Sequence, residues 1–459
     1  MPPRTSSPSF AFTFTRILVP LAIQYLFTNL MGMAEVVMVG QLGDASVAAV
    51  GLAGQLFFLL NITLFGIASG TAIFAAQYWG ARDLANLRRA FGLCLLICLV
   101  VALAFAGAAL VVPDWLIGLF TQDPAVIRLG ASYLQIIGWS YAFTAITTAF
   151  ATLIRSTGNT RPPMLVGVVF LSLNIVLDYV LIFGKLGMPA LGVRGSAAGT
   201  AICRGLECLA LALVAYARRL PVAASPRQLF GFDRAFVARH LRLIVVVFLN
   251  EFFWALGMNL YNAMMARLGT AAYAAYSISA TFQTLGMFFT MGCVNTCGIL
   301  AGHEIGAGKP EAAYRIAWRI LIICVVGSGL IGLALAAARQ PLLELYQVSA
   351  LARQNASAML LITGLALAVR AFDGMLIVGI LRGGGDTQYS ALLDLGGTWL
   401  AGIPAMALAG FVLHLPAPWV LAAMLAENLF KDTLAFRRFL TRRWIRNLAR
   451  PAGEELAVS

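Results

Sequence analysis

The sequence predicts an all-α polytopic membrane protein with twelve transmembrane helices in two six-helix lobes, related by a parallel internal repeat. Hydrophobic residues make up 61% of the 459 positions and charged residues only 11%, less than half the charged share of soluble proteins. The same landmarks also occur in both halves. Leu42-Gly43 recurs as Leu268-Gly269, and Gly80-Ala81 recurs as Gly306-Ala307. A soluble chain of this composition would leave too much apolar surface in water.

The apolar runs delimit the spans, because about 20 apolar residues in a helix cross a bilayer core of roughly 30 Å. We place the spans near residues 14–39, 47–77, 89–112, 129–153, 163–184, 195–217, 237–266, 271–301, 312–337, 355–381, 389–412 and 416–436. Six spans fall in each half, and an even number returns the chain to the same side. The repeats are therefore expected to be parallel, with a pseudo-two-fold axis along the membrane normal.

The spans divide the chain into five parts. These are an N-tail at 1–13, an N-lobe at 14–217, a linker at 218–236, a C-lobe at 237–436 and a basic C-tail at 437–459. Most of the 32 Lys and Arg residues lie in both tails, the linker and the loops that follow even-numbered spans. Basic loops stay on the cytoplasmic side, so both termini are predicted to be cytoplasmic. The C-tail is predicted to be solvated or to face lipid.

The net charge of +13 does not indicate nucleic-acid binding, because the basic residues lie in short loops and form no continuous basic face. The seven cysteines lie inside apolar runs and have no further ligands beside them, so no metal site is predicted from them. An enzyme is also disfavoured. The histidines lie apart from any catalytic motif, and His303-Glu304 lacks the second histidine of an HExxH zinc site.

Ionisable side chains inside spans are costly unless they are paired or hydrated, so each one is a candidate functional residue. Glu251 lies deep in the seventh span and has no basic residue within a helical turn. We expect it to be protonated, to bind a cation or to face water. Asp373 follows Arg370 by three residues, so the two can pair along one helix face. Either this pair is structural, or Arg370 tunes a carboxylate that acts together with Glu251.

The first half holds a second set of candidates. Asn174 and Asp178 are four residues apart and share one face of the fifth span. Glu35 lies toward the outer end of the first span, where it either caps the helix or joins these two. Carboxylate and amide oxygens suit a proton or a hard cation such as Na⁺. Pro20 favours a bend in the first span, which is either static or varies with protonation nearby. The pair Arg204 and Glu207 is predicted to be structural.

The chain resembles the multidrug and toxic compound extrusion (MATE) family of secondary transporters over roughly residues 14 to 440. The motifs that carry the resemblance keep the family's order, spacing and duplication. They are Pro20, Glu35-Val36-Val37-Met38-Val39-Gly40-Gln41-Leu42-Gly43, Asn174-Ile175-Val176-Leu177-Asp178, Gly192-Val193-Arg194-Gly195-Ser196-Ala197, Asn250-Glu251, and Asp373 through Leu381-Arg382-Gly383-Gly384-Gly385-Asp386-Thr387.

The resemblance implies two six-helix lobes in a V-shaped arrangement and roles for several residues. Glu251 and Asp373 match the acidic residues of the family's C-lobe cation site. Asn174 and Asp178 match polar residues of its N-lobe site. Pro20 matches the proline where the first span bends, and Glu35 stands where many bacterial members have aspartate. Arg370 has no place in the family pattern and argues against simple Na⁺ coordination by Asp373.

The resulting hypothesis is a secondary active multidrug efflux transporter of the bacterial inner membrane. It would exchange cationic amphipathic organic compounds for H⁺ or Na⁺ by alternating access, without a cofactor and with a possible Na⁺ at Glu251 and Asp373. Its partners would be organic cations and membrane lipids, and each chain would work as a monomer. The alternative is a flippase or exporter of a lipid-linked or metabolite substrate on the same two-lobed fold, although the acidic candidates favour organic cations.

Overall fold

The computed structural model describes residues 9–344, 346 and 348–450, and these residues form helices joined by short loops. In the first half the helices are α1 (Phe10–Gly40), α2 (Asp44–Gly80), α3 (Leu84–Val111), α4 (Pro113–Gly118), α5 (Pro124–Ile137), α6 (Ser140–Ser156), α7 (Arg161–Phe183), α8 (Val193–Ala217) and α9 (Pro226–Phe230). In the second half they are α10 (Arg234–Arg267), α11 (Thr270–Gly306), α12 (Pro310–Ala337), α13 (Arg339–Glu344), α14 (Ala350–Gly374), α15 (Thr387–Gly396), α16 (Ile403–Ala407), α17 (Ala417–Ala423) and α18 (Ala426–Leu440). The predicted all-α class is confirmed.

Among the described residues of the second half, three π-helical segments interrupt the α-helices. Met375–Arg382 prolongs α14, Gly397–Gly402 joins α15 to α16, and Leu408–Val412 follows α16. A π-helical turn carries one extra residue and shifts the side chains that follow it around the helix axis, and such turns are frequent at functional sites. Two of these segments contact the polar residues described below.

The number of helices with the length and apolarity of a membrane span is lower than the twelve spans that we predicted. Within the described ranges, ten helices are long and apolar enough to cross a membrane. The pair α5 and α6, bent by 50° at a short break, makes an eleventh if it is counted as one broken span. The twelfth predicted span, 416–436, falls on the short helices α17 and α18. Helix α18 carries Glu427, Lys431 and Asp432 and ends with basic residues, which explains its low apolarity.

The chain forms two compact units. The N-half unit comprises residues 23–75 and 83–248, and the C-half unit comprises residues up to 22, 76–82 and those from 249 onward. Helix α1 runs through Pro20 without ending, and the boundary between the units falls just after this proline. The segment 218–236, predicted as the linker, lies within the N-half unit.

The core of the N-half unit is built from helices that pack through small and aromatic side chains. Phe91, Leu134 and Tyr141 are completely buried in it. Helices α7 and α8 pack along their length, and Gly195 lies against the Leu181 backbone, where an added Cβ would have no room. This close approach places the polar residues of α7 directly against α8.

The C-half unit packs α11, α12 and α14 against one another. Gly332 of α12 and Gly364 of α14 lie so close that a side chain on either would collide with the other's carbonyl oxygen. Small residues at helix contacts are typical of membrane proteins, because close backbone approach maximises van der Waals packing where lipid already solvates apolar groups. The packing of α14 fixes the start of the π-helical segment Met375–Arg382.

The duplicated glycines Gly80 and Gly306 make a reciprocal contact within the C-half unit. A Cβ on Gly80 would collide with the carbonyl of His303, and a Cβ on Gly306 would collide with the carbonyl of Gln77. Each glycine therefore allows the helix that carries the other glycine to approach closely. The need for two backbones to approach closely explains why glycine occupies both positions.

The C-terminal segment, residues 441–450, is packed against the C-half unit. Trp444 is fully buried, and the Arg446 amide donates to the Gly384 carbonyl at 2.9 Å. The buried Asp386 accepts from Arg438 Nε at 2.8 Å, and its Oδ1 forms an ion pair with Arg446 Nη2 at 2.8 Å. The prediction of a solvated or lipid-facing tail is therefore wrong for this segment, because the buried carboxylate draws guanidinium groups onto the protein. The remainder of both predicted tails, at 1–8 and 451–459, lies outside the described residues.

Candidate functional site

The N-half unit holds a buried polar cluster on α7. Asn174 and Asp178 are each about 1% exposed. Asn174 Nδ2 donates to Asp178 Oδ1 at 3.0 Å and lies 3.4 Å from Thr200 Oγ1. The shared face predicted from their spacing is therefore present. Two acceptors, Asn174 Oδ1 and Asp178 Oδ2, are buried without a hydrogen-bond partner among the described residues.

Helix α8 closes this cluster at Gly199. A Cβ at this position would collide with Asp178 Oδ1, so glycine is required for α8 to lie directly against the carboxyl group. Leaving buried acceptors unsatisfied costs about 1–3 kcal/mol each. An arrangement of two such oxygens from one amide and one carboxyl group is suited to receiving a proton or a small hard cation.

Glu35 of α1 approaches the same region. Its Oε1 accepts from Ser196 Oγ at 3.0 Å and from Tyr133 OH at 3.4 Å. Tyr133 is close enough to interact electrostatically with both Glu35 and Asp178. The structure therefore brings Glu35 near the pair on α7, as the sequence suggested, and it uses Tyr133 and Ser196, which the sequence analysis had not assigned to the site.

A cavity of about 370 Å³, the N-half chamber, opens beside this cluster. Glu35, Tyr133, Thr200 and Arg204 contribute the polar part of its wall. Its remaining lining consists of Met31, Gly32, Val36, Val39, Val47, Val50, Gly51, Gly54, Phe57 and Ile137. A mainly apolar wall with a few polar groups is typical of small-molecule sites.

Arg204 does not bring an uncompensated positive charge to the N-half chamber. Its Nη1 lies 2.8 Å from Glu207 Oε2, one helical turn along α8. The pair predicted to neutralise itself is confirmed. Glu35 is therefore the chamber's acidic group without a cationic partner among the described residues, because its hydrogen-bond donors are the hydroxyl groups of Tyr133 and Ser196.

In the C-half unit Glu251 pairs with Arg382. The guanidinium Nη1 donates to Glu251 Oε1, and both side chains are largely buried. We had expected Glu251 to lack a basic side chain as its partner, because none lies within a helical turn of it. That expectation was wrong, since the partner comes from the π-helical segment Met375–Arg382, far away in sequence.

Asp373 pairs with Lys431 rather than with Arg370. Lys431 Nζ lies 3.2 Å from Asp373 Oδ2 and also 3.2 Å from Asp394 Oδ1. The spacing of three residues would have allowed Arg370 to pair with Asp373, but α18 delivers a buried ammonium to that carboxylate instead. Within the described residues Arg370 forms no ion pair with Asp373. It lies near Tyr261 and Tyr276, with which it interacts electrostatically.

The Lys431 cluster includes two more acidic side chains and an amide. Asp394 Oδ2 accepts from Asn250 Nδ2 at 3.0 Å, and Glu427 Oε2 accepts from Tyr261 OH at 2.9 Å. Asp394 and Glu427 thus each have a hydrogen-bond donor within the C-half unit. Sequence analysis missed Lys431, although a lysine four residues after Glu427 in the last predicted span was the signal that could have found it.

Comparison with known proteins gives a match across both halves. The family model described as MatE matches residues 20–180 and 246–408. The probable multidrug resistance protein NorM of Thermotoga maritima is 24% identical, over 96% of this chain and 95% of its own length. The multidrug resistance protein NorM of Burkholderia vietnamiensis is 28% identical, over 90% of each chain.

The fold is also found among solved structures. The crystal structure of a mutant of the Vibrio cholerae MATE transporter VcmN superposes with a TM-score of 0.86 at 19% sequence identity, and the match covers 96% of this chain and 98% of that chain. The two stretches matched by the family model coincide with the two halves in which the sequence landmarks recur.

Proposed function

The chain belongs to the MATE family of membrane transporters, and from this premise we propose that it exports cationic amphipathic organic compounds in exchange for H⁺ or Na⁺ by alternating access. The observation that carries the proposal is the N-half cluster. Asn174 and Asp178 present two buried acceptors without partners among the described residues, and Thr200 connects them to a chamber of about 370 Å³. The names of the NorM relatives support a multidrug substrate range.

The chemistry follows from competition for negative charge. With Glu35 and Asp178 ionised, the chamber and its wall attract an organic cation whose apolar part contacts the valine and methionine side chains. A proton or Na⁺ that binds at Asp178 and Asn174 neutralises this charge and weakens the attraction. Each ligand shifts the equilibrium between inward-open and outward-open states only by its difference in affinity for the two states.

The protein is a multi-pass membrane protein, and we propose the bacterial inner membrane as its location, with both termini in the cytoplasm. The distribution of basic residues supports this orientation. We also propose that the monomer is the transporting unit, because each chain contains both acidic clusters.

The test is movement of ethidium in proteoliposomes that contain the purified protein, with a pH gradient and a Na⁺ gradient imposed separately. Asp178→Asn removes the ionisable oxygen of the cluster and should abolish gradient-driven movement. Asp114→Asn, the same chemical change at an exposed site on α4, should leave it unchanged. Failure of both gradients to move ethidium would contradict the proposal and favour a lipid-linked or metabolite substrate.

A further inference from the structure

We propose that Lys431 is a resident cation of the C-half unit. Its ammonium takes the position between Asp373 and Asp394 that an inorganic monovalent cation would otherwise occupy, so this acidic cluster does not bind Na⁺. The inference rests on the proposed function, in which H⁺ or Na⁺ drives export. It assigns different roles to the acidic clusters of the two units. It leaves the N-half cluster as the place where an inorganic coupling ion can bind.

The position of the ammonium supports this assignment. Lys431 Nζ is equidistant, at 3.2 Å, from Asp373 Oδ2 and Asp394 Oδ1, and its side chain is only 2% exposed. A lysine ammonium is a compact single positive charge, which is also what a bound Na⁺ would supply. Two cations cannot share one such position without strong repulsion at low dielectric.

The path of the lysine side chain is built into the backbone. The methylene groups Cγ and Cδ of Lys431 pass directly over Gly397, where a Cβ would collide with both of them. Gly397 begins the π-helical segment Gly397–Gly402, and its neighbour Gly396 meets only Phe430 at ordinary contact distance. The path of the Lys431 methylene groups therefore requires glycine at position 397 but not at position 396.

The second carboxylate is also held in place by a neutral donor. Asn250 Nδ2 donates to Asp394 Oδ2 at 3.0 Å, so one oxygen of Asp394 faces an amide and the other faces the ammonium. Both oxygens are therefore occupied by donors of the protein. Neither oxygen of Asp394 is left without a donor, whereas Asp178 Oδ2 of the N-half cluster has none among the described residues.

The remaining acidic groups can be satisfied without an inorganic cation. Asp432 lies close enough to Asp373 to interact with it electrostatically. Asp373 Oδ1 and Asp432 Oδ1 are buried and have no hydrogen-bond partner in the described part of the chain. One proton shared between the two carboxyl groups would satisfy both oxygens without an inorganic cation. Glu427 is satisfied by the hydroxyl of Tyr261, and Arg370 adds a positive charge near that tyrosine.

The second acidic site of this unit, at Glu251, also has a basic side chain as its partner. Glu251 is paired with the guanidinium of Arg382, whose side chain is 4% exposed. Both family-matched carboxylates, Glu251 and Asp373, therefore have a basic side chain of the chain itself as their partner. This arrangement differs from the Na⁺ that sequence analysis had allowed for the two residues.

The experiment measures cation binding by the purified protein in detergent, without drug or gradient. Thermal unfolding is followed in NaCl and in choline chloride of equal ionic strength, because a ligand that binds only the folded state raises the unfolding temperature. In Lys431→Met we expect the cluster to gain a vacant cation position and Na⁺ to raise the unfolding temperature by several degrees more than choline. The double variant Lys431→Met/Asp373→Asn should lose this gain.

A second variant and a direct measurement keep the test decisive. Lys431→Gln retains a polar side chain and should show the same gain if the methionine variant does not fold. When Lys431 is retained, Asp373→Asn should bind as much ²²Na⁺ as the wild-type protein. Saturable ²²Na⁺ binding that Asp373→Asn removes would overturn the proposal, as would well-folded Lys431 variants that respond equally to both salts. None of these readouts depends on transport, so a failure to move ethidium is a separate result.

Discussion

The guanidinium of Arg382 donates to the carboxylate of Glu251. The first half contains a corresponding contact in which the acceptor is a neutral amide. There Arg155, which stands at the corresponding place in the repeat, donates to Gln24 Oε1 at 3.3 Å. In both units an arginine from the end of a helix reaches a polar residue inside the first long helix of that repeat. The repeat has therefore kept the contact but made it ionic in the C-half unit alone.

The Glu251–Arg382 pair gives the first prediction. Glu251→Gln should abolish gradient-driven transport and also destabilise the protein by about 3–5 kcal/mol, because it leaves a buried guanidinium without its counter-charge. Thermal unfolding in detergent and ethidium transport in proteoliposomes measure the two effects.

Two further variants separate these effects. Glu251→Gln/Arg382→Gln should recover much of the stability but not the transport. Glu344→Gln, at an exposed position of α13, should change neither quantity. Wild-type transport by Glu251→Gln would show that this carboxylate has no role in coupling.

The hydrogen bond between Glu35 and Ser196 gives the second prediction. Glu35→Asp shortens the side chain by one methylene, so its carboxylate should no longer reach Ser196 Oγ, which now lies 3.0 Å away. We expect a several-fold lower transport rate with the fold intact. Ser196→Ala removes the same bond from the other side and should act in the same direction.

A double-mutant cycle checks this explanation. If both variants act through the shared hydrogen bond, Glu35→Asp/Ser196→Ala should be no slower than the slower single variant. If the fold-reductions in rate of the two single variants multiply in the double variant, the two residues act independently.

The third prediction concerns the passage of Lys431 over Gly397. Gly397→Ala should destabilise the C-half unit by about 1–3 kcal/mol, because the added methyl group collides with the lysine stem. Gly396→Ala is the matched control, since the nearest atom to its new Cβ is Phe430 Cε1 at 3.5 Å. Equal unfolding temperatures for the two variants, measured by differential scanning fluorimetry, would contradict this account of the site.

The fourth prediction concerns the buried carboxylate that holds the C-terminal segment. Asp386→Asn removes the charge that binds Arg438 and Arg446, so the segment should detach and trypsin should cleave after Arg442, Arg443 and Arg446 several-fold faster. Limited digestion followed by mass spectrometry measures the rate. Glu311→Gln removes the largely exposed pair with Arg442 and should have little effect, because exposed ion pairs contribute about 0–1 kcal/mol. Equal cleavage of the two variants would contradict the prediction.

The fold class and the internal repeat could be predicted from the sequence because both produce residue patterns that recur along the chain. Apolar run length reports the spans, and duplicated glycines such as Gly80 and Gly306 mark backbone contacts that only glycine permits. The last predicted span, 416–436, lacks a matching long apolar helix, because the charged residues of α18 weaken the apolar signal there.

Of the candidate site, the sequence predicted the local pairs but not the distant partners. Asn174 and Asp178 were found because helical periodicity brings residues four positions apart together. Lys431 and Asp373 are 58 positions apart in the sequence, and no helical periodicity predicts such a contact. The π-helical turns add to the difficulty, because each one rotates the following side chains away from the regular helical register.

The packing of the C-terminal segment has a consequence for how the protein is made. Trp444 and Arg446 follow in sequence every helix that they contact, so Asp386 has only Arg438 as a guanidinium partner until residues 441–450 have been synthesised. These contacts therefore form after the helices of the C-half unit have been synthesised. A nascent chain that stops short of residue 444 would lack the buried indole and the second guanidinium. Membrane quality control could use this chemical difference between such a chain and one that includes residues 441–450.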